Sequence, residues 1–252
     1  HERSTGRGWT DVAVISEVTE VTSDWAERFI EYAEPELTVV AYRQFLTGEL
    51  GDVAFELNQV KKSGARVILA SIIGEWESFI ETADEVGIVG EEFVWITVPS
   101  VFTIQFNEPS PLSRGTLAVF NAYPRTKQRD MFLDAWQSEE SAKYPTAGPA
   151  TTPGPLTYRQ FDMILTAAMA LTKMDNQGRL DSEERISASE WTNLIRDIHF
   201  SGVSGYVEFD ELGDRQELQE LYCYSPAQAG WQSVGRWSRE TGLQVFDDVI
   251  WF

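Results

Sequence analysis

The chain has 252 residues, 42% apolar and 24% charged, with nine Trp, eight Tyr and fourteen Phe; this is ordinary globular composition, so wholesale disorder is excluded and one or two packed domains are expected. Forty acids against twenty bases leave a net charge of −20, spread along the whole chain. Phosphate polyanions and anionic bilayers would be repelled, which excludes a nucleic-acid partner and leaves a soluble body kept apart from its copies by charge.

Residues 11–15 (Asp-Val-Ala-Val-Ile) predict a buried strand. Ser23 can cap a helix in which Trp25, Ala26, Phe29, Ile30 and Ala33 recur at helical spacing, with Pro35 as its stop. Residues 37–42 are β-branched and predict a second strand. Val53, Leu57 and Val60 share one face of a helix over 52–62, and Gly64 follows as its C-terminal cap. Residues 66–71 are a third strand. A helix over 75–86 turns Trp76, Phe79, Ile80 and Ala83 inward, and Gly87 ends it. Residues 93–97 are a fourth strand. Near-continuous apolar strands alternating with amphipathic helices predict an α/β fold with a doubly wound parallel sheet over 9–98.

Farther on, 115–120 predicts a strand, and 128–139 a helix with Met131, Phe132, Ala135 and Trp136 inward. Residues 145–155 hold four Pro and two Gly and predict a mobile surface loop. Residues 157–174 are apolar on most faces, which predicts a helix buried on nearly all sides. Ser187 or Ser189 opens another helix with Trp191, Leu194, Ile195 and Ile198 inward. A Gly-punctuated turn and strand over 200–210 follow, then strands around Tyr222, over 231–237 and over 245–251.

Cys223 stands alone, so no intrachain disulfide or Cys-rich zinc site can form, and a buried thiol is expected. No apolar run reaches the ~18 residues that span a bilayer. The polar opening, without Met, is not a signal peptide and suggests a processed chain or a piece of a larger one. No Asn-x-Ser/Thr sequon occurs. Only His1 and His199 are available as imidazole bases, and there is no nucleophile elbow, phosphate loop or His-Glu-x-x-His, so no enzyme, catalytic residue, metal site or cofactor is expected. Residues 173–184 resemble a calcium loop around Gly178 and Glu184, but Lys173 stands where an acid is required, so a polar linker is the better reading. Asp210 and Asp214 read as a turn residue and a cap rather than as paired catalytic acids.

Residues 200–215 (Phe-Ser-Gly-Val-Ser-Gly-Tyr-Val-Glu-Phe-Asp-Glu-Leu-Gly-Asp-Arg) resemble the F-x-G-x-x-G-x-V-x-F-D-x-x-G-D-R stretch of the type 1 periplasmic-binding-protein superfamily. The branch they resemble is the ligand-binding region of receptor guanylate cyclases, glutamate receptors and class C receptors. Gly8-Trp9 with Val12–Ile15, Ser63–Ser71 with Phe93–Ile96, Gly230–Trp237, and Ile250-Trp251 are similar to further segments of that family, in its order. The resemblance implies a two-lobe Venus-flytrap clamshell with a partial first lobe: 9–104 as lobe two, 105–220 as the later part of lobe one, and 221–252 as the return to lobe two and the hinge. The opening half of lobe one is absent, so 157–174 is expected to need a covering segment, a partner chain or a second copy; a bare 163–171 would count against the proposal.

The implied function is an extracellular or periplasmic sensory module, the ectodomain of a membrane protein, closing on a small-molecule or peptide ligand. An assembly subunit of the same fold is the alternative. Ligands of open α/β sheets bind beyond the carboxyl ends of strands. That places Ser16, Glu17 and Thr19, Ser71 and Ile72, and Thr97 and Ser100 as the candidate ligand-binding residues, or else as ordinary loop polars. Amino-acid-binding members carry an acid after the fourth strand where this chain reads Val98-Pro99-Ser100, which argues against an amino-acid ligand.

Overall fold

The structure, a computed structural model, describes residues 9–46, 48, 50–73, 76–99, 110–179, 186–225 and 230–246. The chain divides into two compact units, His1–Phe120 with Gln219–Phe252, and Asn121–Leu218.

The first unit is built on an eight-stranded sheet. Strands β1 (Asp11–Glu17), β2 (Thr38–Phe45), β3 (Val67–Ile72), β4 (Val94–Pro99) and β5 (Leu117–Asn121) run parallel in the order β5-β4-β3-β1-β2. Val12 sits opposite Val67, and Ile68 opposite Trp95, so the expected side-by-side parallel core is present. Beyond β5 come β8 (Gln219–Ser225), β9 (Gly230–Ser238) and β10 (Gly242–Val245), with β9 antiparallel to both neighbours. Every residue of β3 is buried, as a strand covered on both faces requires.

The side-chain alternation of β1 divides the helices between those faces. Ala13 and Ile15 pack with Leu57 and Val60 of α2 (Leu50–Ser63) and with Phe79 and Ile80 of α3 (Trp76–Val86). Val14 packs on the other face with Ala26 and Phe29 of α1 (Glu20–Ala33). The sheet is therefore wound on both sides. Gly64 and Gly87 end α2 and α3 with φ of +79° and +77°, the left-handed geometry that glycine adopts without penalty. Two boundaries differ from expectation. Helix α1 starts three residues before Ser23, because Thr19 accepts the Thr22 N–H at 3.2 Å and caps it instead. Strand β2 runs on to Phe45. The last expected strand is met only at Val245; Phe246 is irregular, and 247–251 lie outside the described residues.

The second unit holds α4 (Lys127–Ser138), α5 (Pro155–Asn176), α6 (Ala188–Arg196) and a two-stranded ribbon of β6 (Phe200–Ser201) and β7 (Tyr206–Val207). Ser187 and Glu190 form a complete capping box at α6. Ala170 and Met174 of α5 pack against Leu194 and Ile198. Asp162, 1% exposed, accepts the N–H groups of Val203 and Ser204 at 2.8 Å each and the Ser204 hydroxyl at 2.5 Å.

Three expectations are corrected here. In α4, Met131 and Ala135 face outward, while Phe132 and Trp136 are half-buried, Phe132 packing its ring on Phe161 at 5.0 Å. Residues 145–155 are tied to α4 rather than loose: Gly148 N–H donates to the Trp136 carbonyl and Trp136 Nε1 donates to Thr151 Oγ1 at 2.9 Å. Helix α5 is not buried all round. Its face of Tyr158, Asp162, Thr166, Ala170 and Met174 is covered, but Met163 and Ile164 are each 65% exposed and Leu171 44%. The apolar residues of α5 outnumber what the described chain can cover, so one stripe stands bare, which is the outcome named above as counting against the clamshell reading.

Candidate functional site

The order β5-β4-β3-β1-β2 reverses direction once. From β1 the chain crosses by α1 to β2 at the edge, then returns by α2 to β3 on the other side of β1. With α1 and α2 on opposite faces, the connections diverge at the ends of β1 and β3, the topological switch point beyond which open α/β sheets take ligands.

The predicted residues lie around this point. Ser16 and Ser71 are direct register partners, and Thr97 sits on β4 opposite Ala70, one residue before Ser71. Glu17 reaches from the end of β1 to the end of β3: its Oε2 accepts the N–H of Ile73, just past β3, at 2.8 Å. Thr19 closes the loop after β1, its hydroxyl 2.7 Å from that of Thr22, which donates to the Glu17 carbonyl at 2.5 Å. The α1 N-terminus, the positive end of its dipole, therefore lies just after this end of β1.

Burial sorts these groups. Ser16, Glu17, Ser71, Ile72 and Thr97 are all at most 5% exposed, and Ile72 belongs to the core that α2 and α3 cover. Thr19 and Ile73 are half-buried and form the accessible rim. Ser100 lies outside the described residues.

Tyr42, Gln44 and Ser23 were missed from sequence. Gln44 Nε2 donates to Ser23 Oγ at 3.1 Å and lies 3.5 Å from Ser16 Oγ, which is 3.4 Å from the Tyr42 hydroxyl. Their signal was the period-2 spacing of 42 and 44, hidden because the second strand was ended at 42. The groups brought together are a carboxylate, hydroxyls and an amide, which can bind the hydroxyl or ammonium groups of a ligand.

Chemistry elsewhere is spare. Burial pushes the Cys223 thiol above its usual range, and the residue is 3% exposed, so it is no ready nucleophile. His199 is exposed. Asp210 accepts from the Leu212 and Asp214 N–H groups and from Gln216 Nε2, the role of a turn residue. Lys173 to Asn176, the opening of the calcium-loop resemblance, are still helical. Among the described residues no cluster of His, Cys, Asp or Glu could hold a metal, and no helix is long and apolar enough to cross a membrane.

Comparison with known proteins adds two findings. The profile of the receptor family ligand binding region matches residues 6–224. Glutamate receptor 2.1 of Arabidopsis thaliana is 22% identical over 251 residues, which cover 94% of this chain and 27% of that protein; the chain thus spans about a quarter of the length of this curated relative.

Proposed function

Because this chain belongs to the receptor family ligand binding region, we propose that it is an extracellular sensory module that grips a small molecule or peptide at the β1/β3 switch point and carries out no catalysis. In this reading the sheet unit is lobe two and Asn121–Leu218 the later part of lobe one. The parent is a membrane receptor, and a ligand acts by favouring the closed arrangement of the lobes. The observation that carries the reading is the Glu17–Ile73 bond joining the ends of β1 and β3 at the switch point, beside the paired Ser16 and Ser71. Glu17 organises the loop after β3, while Thr19, the backbone around Ile73 and Ser100 meet the ligand. Ser71 and Thr97 support them from beneath.

A thermal-shift screen of sugars, organic acids, amines, short peptides and α-amino acids tests it. A ligand at a hundred times its Kd adds about 2.7 kcal/mol, or roughly 5–10 °C for a protein of this size. Thr19→Val and Ser71→Ala should each cut that shift by more than half. With Pro99 in the place of the expected acid, α-amino acids should give none. A hit indifferent to both substitutions would place its site elsewhere and overturn the assignment.

The bare stripe of α5 supports a second reading, in which a covering segment or partner chain completes this unit and the protein serves assembly. The native mass of the particle separates the two readings.

A further inference from the structure

Basic residues are missing from one end of the sheet unit. Residues 9–120 contain Arg28, Arg43, Lys61, Lys62, Arg66 and Arg114 and no other Lys or Arg. Lys61 and Lys62 end α2, and Arg66 and Arg114 precede β3 and β5, so all four stand at the amino end of the parallel strands. Arg28 is paired with Asp24 at 3.0 Å and Arg43 with Glu56 at 3.8 Å. Beyond β5, Arg236 is paired with Glu220. Arg239 follows β9, five strands and so about 24 Å from β1, roughly three screening lengths at physiological salt.

Acids take the carboxyl end. Glu17 closes β1, and Glu20, Asp52 and Glu77 lie in the first turns of α1, α2 and α3. Glu49 and Glu75 fall in the sequence between the strands and those helices. Three helix N-termini contribute about +0.5 charge each, too little against these carboxylates. The dipoles account for an acid in each first turn, but not for the lack of any base in three successive connections. An independent feature points to a ligand. Ser71 continues the face on which Val14 and Leu69 pack against α1, so it points toward the first turn of that helix, where Glu20 stands. Ser71 is 3% exposed, yet its hydroxyl has no partner among the described residues, and its oxygen is not sealed from solvent. Val18, Val21 and Leu46, at the same end, are exposed. The Val18 N–H donates to the Phe45 carbonyl at 2.8 Å, which brings Val18 beside Leu46.

We infer that the β1/β3 switch point takes an organic cation, an amine with a hydrocarbon body and no carboxylate. Its ammonium donates to Ser71 Oγ in the field of the acids at this end, and its apolar part lies along Val18, Val21 and Leu46. The inference rests on the switch-point reading of the ligand site and narrows it to one charge class.

Three probes that share one hydrocarbon body test it: phenethylamine, phenethyl alcohol and phenylacetate, titrated into the chain at neutral pH and read by calorimetry. The amine should bind about tenfold more tightly than the alcohol, and phenylacetate should not bind. In about 1 M salt, which screens charges beyond roughly 3 Å, the amine and the alcohol should converge. Glu20→Gln with Glu77→Gln should weaken the amine about threefold or more and leave the alcohol unchanged. Glu91→Gln removes an equal, exposed charge at the amino end of the sheet and should change neither. Alcohol or acid binding as tightly as the amine, and lost in Thr19→Val, overturns the cation and leaves the switch-point site standing. Amine binding that Thr19→Val and the paired Gln variants leave unchanged overturns both. Binding by none of the three overturns the inference, and the thermal-shift screen then decides the site alone. Calcium binding more tightly than the amine, and lost in the paired variant, also overturns it, since a bare metal ion uses no hydrocarbon contact.

Discussion

Asp162 shows how much of this protein's order can rest on one carboxylate. It takes three hydrogen bonds from Val203 and Ser204, residues about forty positions away, and the Gly202 backbone lies so close that a Cβ there would collide with the same carboxylate. Asp162→Ala should destabilise the chain by about 3 kcal/mol, the scale for removing hydrogen bonds to a buried charged group. Gly202→Ala should reproduce most of that loss, and in a double-mutant cycle by urea unfolding the pair should fall well short of the sum. Full additivity would show the two residues act separately. None of this was legible in sequence. Within an apolar helix a single Asp reads as an interruption, and nothing in the local pattern points to a loop so far along the chain. The glycines of 200–215 were legible as a motif, but not the acid they leave room for.

At the scale of elements, the β8–β9 pair carries a pH dependence. Burial alone would raise the Glu220 carboxyl, but hydrogen bonds from Arg236 at 2.8 Å and the Tyr222 hydroxyl at 2.5 Å outweigh it and hold the group below its usual range. Tyr222 is pushed up in turn, by burial and then by Glu220. A carboxyl depressed in the folded state contributes its full stability above the unfolded value, about 4.3, and loses it as pH falls through the folded value. Urea midpoints should therefore drop on acidification below about pH 5, and Glu220→Gln should lower the midpoint at pH 7 while flattening that acid limb. An unchanged limb would assign the acid sensitivity to other carboxylates. Strands and helices over 9–98 were legible because each face keeps one period: Val53, Leu57 and Val60 were read as inward and are buried. In α4 the same reasoning misplaced Met131 and Ala135, since an apolar stripe does not say which side has a neighbour.

For the whole molecule, the family was legible from segments that fall within residues 6–224, and so was the shortage of cover for 157–174. The arrangement of Ser16, Ser71 and Glu17 across a switch point was only half legible, because register is decided by the sheet. The bare stripe of α5 carries a further expectation. An environment-sensitive dye such as anilinonaphthalene sulfonate should brighten on the native chain, and Met163→Ser with Ile164→Ser should remove more than half of that signal. Both positions are exposed, so the unfolding free energy by urea should hold to within about 0.5 kcal/mol each. A dye signal untouched by the pair would place the accessible apolar surface elsewhere.

The Glu17–Ile73 clasp joins residues 56 positions apart in the chain. During synthesis, a nascent polypeptide that ends between positions 17 and 73 has made the acid but not its mate. The site is therefore complete only once the third strand lies beside the first.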